Sequence, residues 1–153
     1  MDFDWGNIGK ILAYLIPVIV IILTNVVFRK QKQQKERLTV VRSLLSEINH
    51  NQKLMEAFSL QWQTRKFKTG TWKRNKEKID YIDPGLRYTL DAANAIADEF
   101  NREIDAAKKH KSMSYLAGIR VDRLKEPLAE SKEGLEEWLR LNTGKEKLPA
   151  SAR

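Results

Sequence analysis

The chain contains no cysteine, only two histidines, seven glycines and four prolines among its 153 residues. The absence of cysteine excludes a disulfide scaffold, cysteine-ligated zinc and thiol catalysis. Two histidines, His50 and His110, are too few for a metal centre built from several histidines of one chain. The length suffices for one globular domain rather than two.

Apolar residues are concentrated near the N-terminus. Residues 11–28 carry no charge, and thirteen of these 18 residues are Ile, Leu, Val or Phe. Extended back to residue 8, the segment forms a helix roughly 31 Å long, which matches a hydrocarbon core of about 30 Å. At about 0.3–0.6 kcal/mol for each large apolar side chain, insertion gains roughly 4–8 kcal/mol. The sequence predicts a transmembrane helix over residues 8–28, preceded by a short external N-terminus at 1–7.

Three other interpretations of this segment fit less well. A cleaved signal peptide begins with a basic region, whereas Asp2 and Asp4 stand near this start. A buried soluble helix would need a large protein around it, and the remaining chain is strongly charged. A helix lying in the membrane plane would show a polar face, which residues 11–28 lack. We therefore expect an uncleaved single span.

Basic residues follow the predicted span directly. Under the positive-inside rule such a cluster is retained in the cytoplasm. This predicts an outward N-terminus, with residues 29–153 on the cytoplasmic side of the plasma or inner membrane. The expected role of the juxtamembrane segment, residues 29–37, is contact with anionic lipid headgroups at about 1 kcal/mol per basic residue. Its basic residues are Arg29, Lys30, Lys32, Lys35 and Arg37.

A second basic cluster lies further along, in the half of the chain that carries all of the excess positive charge. Residues 1–78 contain 15 basic and 6 acidic residues, a net of +9, while residues 79–153 contain 13 and 14, a net of −1. We call residues 62–78 the basic-aromatic segment, which also contains Phe67. Its candidate contact residues for lipid or nucleic acid are Trp62, Arg65, Lys66, Lys68, Trp72, Lys73, Arg74, Lys76 and Lys78.

Three interpretations of the basic-aromatic segment remain open. In the favoured one, it is a solvated connector whose aromatic side chains complete a helical core. In the second, it binds anionic lipid and inserts its aromatic rings among the headgroups. In the third, it grips the phosphates of a nucleic acid, whose bases stack on the rings, or it binds an acidic protein. Nucleic acid is the less favoured partner.

The remainder of the chain has helical periodicity, which predicts an all-α fold. Residues 38–144 are expected to form a small antiparallel bundle of three or four helices, followed by a flexible tail at 145–153. The first helix is expected to end near Gly70 as a C-cap, and residues 49–52 are its weakest part by helix propensity. Its predicted stripe is Leu38, Val41, Leu45, Ile48, Gln52, Met55, Ser59 and Trp62.

Two further helices are predicted from their start signals. Asp83 is suited to be an N-cap with Pro84 at the first helical position. Its stripe runs through Leu86, Leu90, Ala93, Ala97, Phe100, Ile104 and Ala107. The third helix starts at Ser112, kinks or restarts at Pro127 and closes at Thr143. Its stripe runs through Ala117, Val121, Leu124, Leu128, Ser131, Leu135 and Trp138. Regular stripes also suit self-association, including a coiled-coil dimer through residues 38–62.

The chain contains no recognisable catalytic motif. A glycine-rich phosphate loop, an HExxH motif and a nucleophile elbow are all missing. Asp91, Asp98 and Asp105 repeat every seven residues, about 10 Å along a helix, which is too far to share a metal. We expect them to pair with Lys or Arg opposite, and His50 to be exposed. The sequence thus predicts a membrane-anchored interaction or scaffold protein without catalysis, cofactor or metal. Its protein partner is not identified, and a homo-oligomer is an open alternative.

Overall fold

The computed structural model describes the backbone of residues 5–61, 65–111 and 120–143, and the side chains of 15–58, 65–111 and 120–143. All regular secondary structure in these residues is helical, which confirms the all-α prediction and is consistent with a helical bundle. The elements are α1 (Trp5–Gln61), α2 (Gly70–Asn75), α3 (Pro84–Lys109), a 3-10 turn (Val121–Leu124) and α4 (Lys125–Thr143).

The chain divides into two units, residues 1–37 and 38–153. In the first unit, every described side chain is exposed, including all five basic residues of the juxtamembrane segment. Eleven large apolar side chains from Leu15 to Phe28 are between 44% and 64% exposed. In the part of the chain with described side chains, no helix is long and apolar enough to cross a membrane.

Several predicted segments fall partly or wholly outside the described residues. The first third of the predicted span, residues 8–14, lies within α1, but its side chains are not among those described. Residues 1–4 of the predicted external N-terminus and the predicted tail, 145–153, are also outside the described residues.

The described residues of the second unit, 38–143, enclose a core of their own. Side chains from α1, α3 and α4, and from the stretches that join them, contribute to one buried cluster. The largest fully buried apolar side chains are Phe58, Phe100, Leu44, Ile79, Ile82, Leu90, Ile104, Leu124, Leu128, Leu135 and Val41.

Helix α3 follows the sequence prediction closely. The Asp83 carboxylate accepts hydrogen bonds from the Gly85 and Leu86 N–H groups at 2.8 and 3.2 Å, and Pro84 occupies the first turn. Every predicted stripe residue from Leu90 to Ala107 is buried, and Leu86 packs against the core at its edge. The cap and the stripe are both local features, which is why sequence reading finds them.

Helix α4 begins just before Pro127. Residues 112–119, including the predicted start at Ser112, lie outside the described residues. A 3-10 turn then leads into α4 at Lys125, so a new helix starts there rather than one helix kinking at the proline. The first turn of a helix leaves its N–H groups without intrahelical partners, so proline costs little there. The predicted stripe from Val121 to Leu135 is buried.

Two predictions about α1 are wrong. The helix ends at Gln61 rather than near Gly70, and Gly70 instead begins α2. The predicted stripe is also half out of register, because Leu45 and Gln52 are only partly buried. The observed buried stripe is Val41, Leu44, Ile48, Asn51, Met55 and Phe58, with Glu47 beside it. The core accepts these two polar residues because each makes two hydrogen bonds to backbone groups. Since the stripe is buried within the chain, a dimer through it would have to open the core.

Candidate functional site

The structure describes the basic-aromatic segment from Arg65 onward, while Trp62 lies outside the described residues. Residues 65–69 are not helical, and burial alternates along them. Phe67 and Thr69 are buried, whereas Lys68 between them is exposed. This alternation is typical of an extended strand with one face against a core. The segment therefore has an inner face in the bundle and an outer face in solvent.

Two asparagines hold the extended part by its backbone, an arrangement we call the asparagine clamp. Asn51 of α1 donates from Nδ2 to the Lys68 carbonyl oxygen at 2.6 Å and accepts from the Lys68 N–H at 2.8 Å. Asn101 of α3 accepts from the Phe67 N–H at 2.7 Å and donates to its carbonyl oxygen at 2.9 Å. Each side-chain amide thus pairs one N–H and one C=O, as a neighbouring strand would.

A buried carboxylate of α1 caps α2. Glu47, only 7% exposed, accepts hydrogen bonds from the Thr71 N–H at 2.8 Å and the Trp72 N–H at 3.1 Å. Thr69, at the N-cap of α2, does not cap with its own side chain, because its hydroxyl donates to Asp98 at 2.9 Å. A carboxylate at this end of a helix satisfies otherwise unpaired N–H groups and is favoured by the helix dipole.

The three heptad-spaced carboxylates of α3 line the other side of the segment. Asp105 pairs with Lys66 and Asp98 with Lys73, each at an N–O distance of 2.7 Å. Asp91 accepts from the Trp72 indole N–H at 3.2 Å. The predicted pairing with Lys is confirmed at two of the three positions. Both ion pairs are about half exposed, so each contributes little to stability.

Both described aromatic rings of the segment belong to the core. Phe67 is 3% and Trp72 is 5% exposed, and the Phe67 ring packs at 6.1 Å, centroid to centroid, from the tilted ring of Phe100. These burials agree with the connector interpretation, in which the aromatics complete the bundle. In this arrangement the rings are not open to stacking with bases or to insertion among headgroups.

The remaining candidate cations face solvent. Lys66 and Lys73 are the two that pair with α3. The others are exposed and make no ion pair with any described residue. They are Arg65, Lys68, Arg74, Lys76 and Lys78.

Sequence reading did not identify the residues that position this segment, namely Glu47, Asn51, Thr69 and Asn101. One signal was present: residues 49–52 are poor helix formers in the middle of a helix, and Asn51 supplies the reason. Nothing local, however, pairs Asn51 with Lys68, which lies 17 residues further on.

Among the described residues, no group of three or more His, Asp or Glu side chains is arranged to hold a metal ion. Comparisons of the chain with protein-family models, with curated proteins and with solved structures find no match.

Proposed function

We propose that the chain is a single-pass membrane protein whose helical domain acts as an interaction or scaffold module without catalysis. In this proposal, residues 8–28 cross the plasma or inner membrane with the N-terminus outside. The juxtamembrane segment contacts anionic headgroups, and the domain that begins at Leu38 lies in the cytoplasm.

The observation that carries the proposal is the apolar surface of the first unit. Leu15 to Phe28 carry eleven exposed large apolar side chains around the helix, and soluble monomers rarely expose an apolar patch of more than a few hundred Å². The Thr24 hydroxyl donates to the Val20 carbonyl oxygen at 2.6 Å, which reduces the cost of placing it in hydrocarbon.

The surface of the second unit is suited to polar rather than apolar contacts with a partner. Among its described residues, only Tyr88 and Leu141 are exposed large hydrophobic side chains. The described part of the domain buries its own apolar stripes, so a partner that binds there would meet charged and polar groups. Cross-linking in membranes that gave monomers only, with no adduct to another protein, would contradict this role.

Alkaline carbonate extraction tests the anchor. We expect the full chain to remain in the membrane pellet. Replacing Ile19 and Ile22 together by Arg changes the insertion free energy by about 3–4 kcal/mol per site, which cancels the roughly 4–8 kcal/mol gained by the span. The double Arg variant should therefore move to the supernatant, while a control with Leu at both positions should not. Recovery of the unmodified chain in the supernatant would refute the anchor.

Topology can be mapped with single cysteines because the chain has none of its own. We expect Asp2→Cys to react with a membrane-impermeant maleimide in intact cells. Glu130→Cys, at an exposed position of α4, should react only after the membrane is permeabilised. The opposite labelling pattern would reverse the proposed orientation.

A further inference from the structure

We propose that the second unit carries a binding site for a phosphomonoester dianion, formed by one face of α1 and the outer face of residues 65–68. We call it the cationic groove. The site consists of residues within 42–53 and 65–68 and does not depend on the membrane anchor. Its chemistry is that of a phosphate group, either in a lipid headgroup or in a free phosphorylated molecule.

One wall of the cationic groove is a row of side chains on α1. Spacings of three and four residues place them on one side of the helix, and they line an open surface depression with a volume of about 420 Å³. The row combines two cationic side chains with hydroxyl, amide and imidazole groups, all able to donate to phosphate oxygens. The lining residues are Arg42, Leu45, Ser46, Asn49, His50 and Lys53.

The asparagine clamp places the second wall. The Lys68 backbone is bound at both its N–H and C=O to Asn51, the residue that follows His50 on α1, and the Lys68 side chain is exposed. The electrostatics at His50 agree with this placement. The pKa of His50 is lowered first by desolvation and then by the positive charges of Lys68 and Arg65, with a smaller contribution from Lys53, while Glu47 opposes the shift.

The cationic side chains of the groove, Arg42, Lys53, Arg65 and Lys68, form no ion pairs among the described residues. The carboxylate of Glu47 accepts hydrogen bonds from the N–H groups of α2. Like charges held together by a fixed backbone repel each other, and a bound dianion relieves this repulsion. A phosphomonoester offers two charges and three acceptor oxygens to these donors.

A single-stranded nucleic acid is the less suitable source of phosphate. Its recognition relies on aromatic side chains on which successive bases stack. The two described rings of the basic-aromatic segment, Phe67 and Trp72, are buried in the core. The side chains of the segment that remain exposed are cationic, and they can bind phosphate.

Histidine NMR on the full chain in phosphatidylcholine nanodiscs tests the site. Inorganic phosphate is added and compared with chloride at equal ionic strength, and the imidazole of His50 is titrated in each. We expect phosphate to raise the pKa of His50, because the bound dianion offsets the neighbouring cations. His110, the only other histidine, serves as the internal control, and its NMR signals should not distinguish phosphate from chloride. An unchanged His50 titration, both at saturating phosphate and with phosphatidate nanodiscs, would overturn the proposal.

Three variants sharpen the test. Lys68→Gln and Arg65→Gln should each weaken phosphate binding about tenfold, since each removes a charge-assisted hydrogen bond. Lys125→Gln, which neutralises an exposed cation at the start of α4, should leave the affinity unchanged. Equal affinity in all three variants would refute the assignment. Far-UV circular dichroism verifies that each variant is folded.

Two nanodisc compositions distinguish the sources of the phosphate. Phosphatidate, a phosphomonoester lipid, is compared with phosphatidylglycerol at equal charge density. If phosphatidate alone raises the pKa of His50, the site takes lipid headgroups. If only soluble phosphate raises it, the site takes a free phosphorylated ligand. Both results support the site, whereas no response to either source refutes it.

Discussion

Replacement of Asn51 by Ala should release the basic-aromatic segment from α1. The Asn51 side chain is 2% exposed and makes two hydrogen bonds to the Lys68 backbone, at 2.6 and 2.8 Å. Alanine removes both bonds and leaves a partly buried N–H and C=O without their partner. Among the described side chains of α1, only that of Asn51 forms hydrogen bonds to the backbone of residues 65–69, so this substitution removes the attachment of that stretch to α1.

The expected loss in the free energy of unfolding is set by the backbone groups that Asn51→Ala leaves without partners. Each partly buried backbone group that loses its partner costs about 1–3 kcal/mol, so two groups cost roughly 2–4 kcal/mol once partial access to water is considered. Alanine is the better helix former by about 0.6 kcal/mol, which offsets part of the loss. We expect the free energy of unfolding of the second unit to fall by about 2–3 kcal/mol.

Two measurements on the full chain in detergent micelles report the effect. Urea unfolding is followed by tryptophan fluorescence, to which the buried Trp72 contributes. Hydrogen exchange at the Lys68 and Phe67 amides reports local opening and should accelerate most at Lys68. The Asn51→Asp variant keeps an acceptor for the Lys68 N–H but places a carboxylate against its carbonyl oxygen, so it should also be destabilised.

The control is the same substitution at Asn49, on the same helix, where the side chain is half-buried and faces the groove. Asn49→Ala should change the free energy of unfolding by less than about 0.5 kcal/mol. If Asn51→Ala cost no more than Asn49→Ala, the clamp would not hold the segment. In a double-mutant cycle with Asn101→Ala, the two losses should be less than additive, because both residues hold the same extended stretch.

Three further changes have defined outcomes. A Cβ on Gly134 would lie 2.5 Å from Leu86 Cδ1, so Gly134→Ala should destabilise the domain by about 1 kcal/mol in the native background. In a Leu86→Ala background, it should stabilise the domain by about 1 kcal/mol through helix propensity. Glu47→Gln should cost about 1–3 kcal/mol, since it weakens two charge-assisted bonds to the N-terminus of α2. Because the folded-state pKa of His50 is below 6.5, the unfolded chain binds more protons between these values. Stability should therefore fall as the pH drops from above 6.5 through the lowered pKa, and His50→Gln should remove this component.

Each of these outcomes has a contrary result. Equal effects of Gly134→Ala in both backgrounds would rule out the Leu86 contact as the cause. A free energy of unfolding unchanged by Glu47→Gln would show that the cap contributes nothing. Identical pH profiles for the native chain and His50→Gln would contradict the lowered pKa.

Helices α3 and α4 show how far sequence reading reaches. The cap at Asp83 and the seven-residue stripe of α3 involve residues at most four positions apart, so composition and spacing predict them. The restart near Pro127 is equally local. The pairing of Asp98 and Asp105 with Lys was expected from heptad spacing, although Lys66, the partner of Asp105, lies in the non-helical residues 65–69 and Lys73, the partner of Asp98, lies in the short helix α2.

The register of α1 shows where sequence reading fails. Apolarity alone favours Leu45 and places Gln52 on the stripe, whereas the core selects Leu44 and Asn51. The polar choice is favourable only because the Lys68 backbone stands opposite to satisfy the amide. A stripe chosen by hydrophobicity cannot include a residue whose burial depends on a partner elsewhere in the chain.

The sequence by itself determined the helical class, the apolar segment at residues 11–28, the uneven charge, and the start and stripe of α3, since each follows from composition or from neighbours within a turn. Only the tertiary structure decided that residues 65–69 of the basic-aromatic segment are non-helical and held by the asparagine clamp, and which cations of the segment remain exposed. The physical reason is that its backbone is satisfied by Asn51 and Asn101, which are 17 and 34 residues away from their partners. Hydrogen bonds between residues so far apart in the sequence produce no periodic pattern of residue types.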